Sequence, residues 1–243
     1  MITLHYSPTP NCWKVAILLE ELALPYVVRH YDIFAGDHLT PEFRRLNPNH
    51  KIPVIVDDAP ADRDEPLIVF ESGAILFYLA DKSGRFMAQD ARGRAATLQW
   101  LSWQIAGLGP MLGQANHFVR YAPQPQPYAT ERYVNESRRL IHVLEHRLGQ
   151  APYLAGDYSI ADMAAWPWVR FLGLLQLELA DFPNVKRWFE AIESRAAVHK
   201  VFTAPETAPN PAYLQASAKL TPEQWSNLFG DRMLRAPHAP SES

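Results

Sequence analysis

The chain has 243 residues, 48% of them hydrophobic, with seven Trp and eleven Phe, enough apolar material for one large core or two smaller ones. Its 23 basic and 26 acidic residues nearly balance and form no long Lys/Arg run, which excludes an electrostatic nucleic-acid binder. A single cysteine excludes an intrachain disulfide framework and a Cys-rich metal site, and no apolar run reaches the length of a membrane span.

From Ile2 to Tyr6, apolar Ile2, Leu4 and Tyr6 alternate with Thr3 and His5, the pattern of a strand. The first residues lack the basic region and apolar stretch of a signal peptide, so a cytoplasmic protein is expected. Val15, Leu18, Leu19 and Leu22 then recur at helical spacing. The stretch between, Tyr6-Ser-Pro-Thr-Pro-Asn-Cys-Trp-Lys14, is a strand-to-helix corner, with Pro10 suited to the first helical position. Thr9, Asn11 and Cys12 therefore stand at a helix N-terminus. Free backbone N–H groups and the helix dipole favour an anion there, a thiolate included. Tyr26-Val27-Val28 reads as a second strand and residues 33–38 as a loop. Thr40 caps and Pro41 opens a short helix that ends before Asn47-Pro48-Asn49. Lys51-Ile52-Pro53 leads into the apolar strand Val54-Ile55-Val56. Residues 57–66 form a turn, residues 67–70 a fourth strand, and at Glu71-Ser72 a helix begins with Ile75, Tyr78 and Leu79 on one face.

Residues 81–90 are a polar connector, beyond which strand signals stop. A long helix carries Leu98, Leu101, Ile105 and Leu108, with a bend at Gly107-Leu-Gly-Pro110. Residues 122–127 are a proline-rich loop, and Tyr133 to Leu148 is helical. Ser159-Ile-Ala-Asp162 has the form of a capping box at the start of an apolar helix, and Pro167 inside it predicts a kink or tight first turn. Pro183 to Ser194 makes a further helix. Thr221-Pro-Glu-Gln224 caps a short terminal helix that stops at Gly230, and residues from Pro237 onward read as frayed. The expected domains are α/β over residues 1–82 and all-helical over 90–202, followed by an extension over 203–243.

Three signatures in this order resemble those of cytosolic glutathione transferases. Lys51-Ile52-Pro53 is similar to the segment before that family's cis-proline. Phe70-Glu-Ser-Gly-Ala-Ile75 is similar to its Glu-Ser helix start, and Gly156-Asp-Tyr-Ser-Ile-Ala-Asp162 to its buried capping box. The resemblance covers about residues 1–200 and implies a thioredoxin-like α/β N-terminal domain followed by an all-α C-terminal domain. Ser7-Pro-Thr-Pro-Asn11 with Lys14, Leu98-Gln-Trp100, Gly109-Pro-Met-Leu-Gly-Gln114 and Pro127-Tyr-Ala-Thr-Glu-Arg-Tyr133 resemble the nu class of that superfamily. That likeness implies glutathione as co-substrate, reduction of small-molecule disulfides with weak conjugating activity, no metal, and a homodimer.

Under this resemblance each group of glutathione has a partner. Ser72, at a helix N-terminus, offers a backbone N–H and a hydroxyl to the γ-glutamyl carboxylate, and Glu71 faces the ammonium. Ile52, turned outward by a cis bond to Pro53, pairs with the cysteinyl backbone. Only about 5–6% of X–Pro bonds are cis, so that bond is an implication of the family alone. Lys51 and His38 are candidates for the glycine carboxylate. Thr9 offers one O–H and Asn11 two N–H donors to the thiolate, drawing its pKa from ~8.5 toward neutral. Arg132 would bind a carboxylate of a second glutathione. Trp103, Phe118 and Tyr121 would wall the second-substrate pocket, with Trp100, Trp166 and Trp168 in the core. Cys12 lies one residue past Asn11, about a hundred degrees around the helix, and reads as a packed thiol.

Without the family, Thr9 and Asn11 are equally turn and cap residues, and Glu71-Ser72 simply starts a helix. Lys51 is then a solvated charge, His38 a loop histidine, and Arg132 a partner for Glu131 or Glu136. Two other functions stay open. One is a conventional transferase joining glutathione to electrophiles, for which Tyr6 and Ser7 are the nearby hydroxyls. The other is a non-enzymatic glutathione-binding regulator.

Overall fold

The alternating first segment forms β1 (Ile2–Tyr6), which pairs in parallel with β2 (Tyr26–His30) and antiparallel with β3 (Val54–Asp57). β4 (Leu67–Phe70) pairs antiparallel with β3. The computed structural model describes residues 1–62, 65–209 and 220–238. Among them, the strands make one four-stranded sheet in the order β2-β1-β3-β4. The mixed order follows from the connections. β1 and β2 are joined through α1 (Pro10–Leu22), whereas the short turn from β3 to β4 permits only an antiparallel pair. β2 runs two residues past the apolar Tyr26-Val27-Val28, because Arg29 and His30 still pair with His5 and Tyr6.

α1 departs from a one-faced amphipathic helix. Cys12, Trp13, Lys14, Val15, Ala16, Ile17, Leu18, Leu19 and Leu22 are all buried. One side rests on the sheet and on α3 (Ser72–Ser83). The other is covered by two helices from the second half of the chain, α7 (Ile160–Val169) and α9 (Ala196–Thr203). The core is accordingly one continuous cluster from Leu4 to Val201. Polar ties secure the same junction. Lys200 reaches Glu20 at 2.7 Å, Arg195 pairs with Glu21, and the Tyr6 hydroxyl donates to the Thr207 carbonyl at 2.6 Å.

α2 (Pro41–Leu46) starts as expected, with the Thr40 hydroxyl accepting from the Phe43 N–H. α3 continues two residues past Asp81 and ends at Gly84, whose φ of 65° suits the missing Cβ. α4 (Ala91–Trp103) is capped by Asp90. Then the long helix widens. Residues Gln104–Leu108 form a π-turn, α5 (Gly109–Asn116) follows, and His117–Tyr121 is a second π-turn. Pro110 has no N–H to give to the preceding turn, and the Gly109 N–H bonds Gln104, five residues back.

α6 (Pro127–Leu148) begins six residues before Tyr133. Pro127 closes the proline-rich loop and serves as the helix's first residue, while exposed Tyr128 and polar neighbours hide the helical period there. The box at the start of α7 is complete. The Ser159 hydroxyl accepts from the chain, and the Asp162 carboxylate accepts from the Ser159 N–H at 3.0 Å, the Leu154 N–H at 2.9 Å and the Trp188 indole N–H at 2.8 Å. α8 (Pro183–Glu193) carries Trp188, so one carboxylate binds a turn, a helix start and a neighbouring helix. α9 has no counterpart among the expected elements, since only Ser194 and Arg195 separate it from α8. α10 (Pro222–Leu228) has its Thr221–Gln224 capping box, and α11 (Asp231–Arg235) follows immediately. Pro237, expected to be frayed, lies in a 3-10 turn over Ala236–His238. Residues 239–243 of that tail, 63–64 of the β3–β4 turn and 210–219 of the extension lie outside the described residues.

Candidate active site

A cavity of about 810 Å³ opens between the strand-to-helix corner, the N-terminus of α3, the α4–α5 bend and α10. Thr9, Asn11, Lys51, Glu71, Ser72, Phe118 and Tyr121 all line it. The corner explains the placement of the first two. Thr9 is extended, with φ −124°, and its hydroxyl does not cap α1. Its carbonyl accepts the N–H groups of Cys12 and Trp13, both at 3.0 Å. Since Pro10 has no N–H, the first-turn donor set is smaller than a helix N-terminus normally offers. The Asn11 side chain points to the cavity, and its Oδ1 accepts the Trp168 indole N–H at 3.2 Å.

Cys12 turns away. It is fully buried, and burial pushes its thiol up to about 12 against the opposing pull of Ser7, Thr9 and Lys14. Tyr6 and Ser7 are equally enclosed, and the Tyr6 hydroxyl is spent on Thr207.

The opposite end of the cavity is built by α3. Glu71 precedes the helix at φ 67°, a conformation that costs a non-glycine residue about 1–3 kcal/mol and that aims the first turn at the cavity. Ser72 is buried, and its hydroxyl accepts from Lys14 Nζ at 3.4 Å. Lys14 also donates to Gln104 Oε1 at 2.8 Å, which places the first π-turn under the site. Gly73 allows this approach, since a Cβ there would lie 2.6 Å from Ile105.

Burial lowers Lys14 to about 7, although Glu71 and Cys12 pull the other way. An amine depressed from 10.5 to about 7 binds fewer protons folded than unfolded across that window. Its contribution to stability is therefore present above 10.5 and is lost as pH falls through 7. The melting temperature of the wild type is expected to rise relative to that of Lys14→Met between about pH 7 and pH 9. Thermal melts at a series of pH values check this, and parallel curves would refute it.

The remaining wall comes from α5, the second π-turn and the extension. The Trp225 indole N–H donates to the Tyr121 carbonyl at 3.2 Å, and Asn227 Nδ2 donates to the Phe34 carbonyl at 2.7 Å. α10 thus spans from the loop after β2 to the helical half, with Phe229 against His117 and Tyr121. Gly36, at φ 90°, lets Asn227 in, since a Cβ there would lie 3.1 Å from its amide. The described part of the extension thus closes one side of the cavity, with Leu228 and Phe229 in its lining.

Several expected residues stand elsewhere. The Ile52–Pro53 bond is cis, and Ile52 is half-buried, but neither residue lines the cavity. His38 is buried behind it, and its carbonyl accepts from His50 Nδ1. Burial, then Lys51 and His50, hold its imidazole near 4, so at neutral pH it is no cation for a carboxylate. Arg132 is exposed and lies 3.7 Å from Glu136, outside the cavity, where Arg120 stands instead. Trp103 packs edge-on against Trp100, 5.3 Å between ring centres, and does not reach the cavity. Trp168 and Phe171 take that place, so Trp168 is a pocket residue and not core. Helical periodicity does not mark Trp168 as a pocket residue, because α7 is buried on nearly every side.

Models described as "Glutathione S-transferase, N-terminal domain" and "Glutathione S-transferase, C-terminal domain" match residues 9–82 and 111–196. The chain is 54% identical over 198 residues to the Escherichia coli disulfide-bond oxidoreductase YfcG, covering 81% of this chain and 92% of that one. A Burkholderia graminis glutathione transferase, with two glutathione molecules bound per subunit, superposes with a TM-score of 0.80 at 46% identity, over 84% of this chain and 88% of that one. A Pseudomonas putida glutathione transferase, with one glutathione disulfide bound per subunit, gives 0.79 at 41% identity, over 84% and 91%.

Proposed function

The chain belongs to the glutathione S-transferase family, and from that premise we propose that it is a glutathione-dependent disulfide-bond reductase of the nu class. The observation that carries the reading is the state of the chain's single thiol. Cys12 is sealed in the core and held protonated, while the donors of the corner open on a cavity large enough for peptide ligands. The nucleophile therefore comes with the co-substrate.

Glutathione binds with its γ-glutamyl carboxylate at the α3 N-terminus on Ser72 and its ammonium toward Glu71. Lys51 takes the glycine carboxylate, and the thiolate lies at Thr9 and Asn11. Those donors stabilise the anion relative to the thiol and so raise the ionised fraction. The thiolate attacks one sulfur of a small disulfide. A glutathione mixed disulfide forms, and the other sulfur leaves as a thiolate that takes a proton. The thiolate of a second glutathione then attacks the mixed disulfide, giving glutathione disulfide and the second reduced thiol. Two glutathiones supply the two electrons. Such a cycle begins with two glutathiones and ends with one glutathione disulfide, the ligands held per subunit by two of the similar structures.

Conventional conjugation is less well served. Tyr6 and Ser7, the nearby hydroxyls, are buried away from the cavity. A homodimer fits the exposed Leu67, Ile68 and Phe70 of β4, an apolar edge strand that a second copy would cover. A cytoplasmic setting supplies the reduced glutathione that the cycle consumes.

The test replaces Cys12 with Ala and measures hydroxyethyl mixed-disulfide reduction beside nitroaryl-halide conjugation. Reductase activity is expected to stay within about twofold of wild type, because the thiol does no chemistry. Its abolition, in a variant that still folds, would overturn the reading, as would a wild-type enzyme far faster on the halide.

A further inference from the structure

Asn11 has one donor group and one acceptor, and which of them faces the cavity decides whether it can serve a thiolate. An indole N–H only donates, so the 3.2 Å contact with Trp168 requires that the amide oxygen point at Trp168. The NH2 group is then left for the cavity, which both residues line. The contact spans 157 residues, from the first turn of α1 to the last turn of α7. The seat of the indole is itself shaped. A Cβ on Gly113 would lie 3.3 Å from the Trp168 ring, and one on Gly109 would lie 3.4 Å from its Nε1.

We propose that Trp168 is a positioning residue for the reaction: its indole N–H fixes the amide of Asn11 with the donor side toward the sulfur of bound glutathione. The inference rests on the sulfur site given above. With the indole N–H removed, the amide is free to turn its oxygen to the cavity, where a carbonyl lone pair repels a thiolate. The helical half of the chain thus sets the polarity of a group that the α/β half supplies.

The test is a double-mutant cycle with Trp168→Phe, Asn11→Ala and the pair. Two readouts apply: the pKa of the bound glutathione thiol, from the ultraviolet absorbance of its thiolate, and kcat and KM for a mixed disulfide. Lys14 and Lys51, the lysines of the cavity, are unchanged in all variants. Trp168→Phe is expected to raise the bound-thiol pKa and lower kcat about fivefold, the size of one neutral hydrogen bond. In the Asn11→Ala background it is expected to do neither. Should Trp168→Phe fail to fold, Trp168→Leu, which likewise lacks the indole N–H, carries the same expectation. Equal losses in both backgrounds, or an unmoved thiol pKa in Trp168→Phe alone, would overturn the inference while leaving the sulfur site standing. An unmoved thiol pKa in Asn11→Ala would remove the sulfur site, and the inference with it.

Discussion

Asn11→Ala is expected to lower the turnover of a hydroxyethyl mixed disulfide about 10- to 100-fold. A hydrogen bond to a charged group contributes about 1.5–3 kcal/mol, and the Asn11 NH2 faces the cavity at the corner. The bound thiol should move back toward ~8.5, so part of the lost rate returns as pH is raised. This pH rescue separates lost ionisation from a misfolded site. Thr9→Ala is expected to act in the same direction, its hydroxyl not being used as a helix cap. A pH–rate profile of Asn11→Ala that lies on that of the wild type would refute the assignment.

The largest effect on stability is expected at Asp162. Its carboxylate accepts from the N–H groups of Leu154 and Ser159, from the Ser159 hydroxyl and from the Trp188 indole, all in the core. Asp162→Ala leaves those donors buried and unmatched, at about 1–3 kcal/mol for each stranded group. Relaxation recovers part of the sum, and a net loss of about 3–5 kcal/mol is expected. For a chain of this length that lowers the melting temperature by roughly 6–20 °C. Asp162→Asn keeps one acceptor oxygen and should lose about half as much. Thermal and urea unfolding measure both; a variant within about 1 kcal/mol of wild type would show that the network contributes little.

The polar punctuation of the chain carried most of the architecture. The Thr40-Pro41, Ser159–Asp162 and Thr221–Gln224 starts are all helix N-termini in the structure, because such caps depend on local bonds. What escaped was either masked locally or set by contacts distant in sequence. The onset of α6 was hidden by exposed residues, and α9 by a break of two residues. In the site, Thr9, Asn11, Lys51, Glu71 and Ser72 converge, since each stands at an element's end whose position the local pattern dictates. His38, Arg132 and Trp103 do not. Whether a loop histidine is solvated is decided by tertiary partners such as His50, and which tryptophan of a helical half faces the cavity by a contact with Asn11 157 residues away. Lys14 was noted only for its likeness to the nu class. Its role under Ser72 required the Gln104 turn, which no local signal links to it.

The enclosure of Cys12 bears on how such an enzyme ages. Oxidants convert an accessible thiolate stepwise to sulfenic, sulfinic and sulfonic acids, and the later steps are irreversible for most proteins. Here the sulfur exposed to that chemistry is on a small molecule that is released and replaced each cycle. An over-oxidised nucleophile is discarded with the spent tripeptide, and the polypeptide, with its own sulfur locked among Tyr6, Trp13 and Val15, stays serviceable.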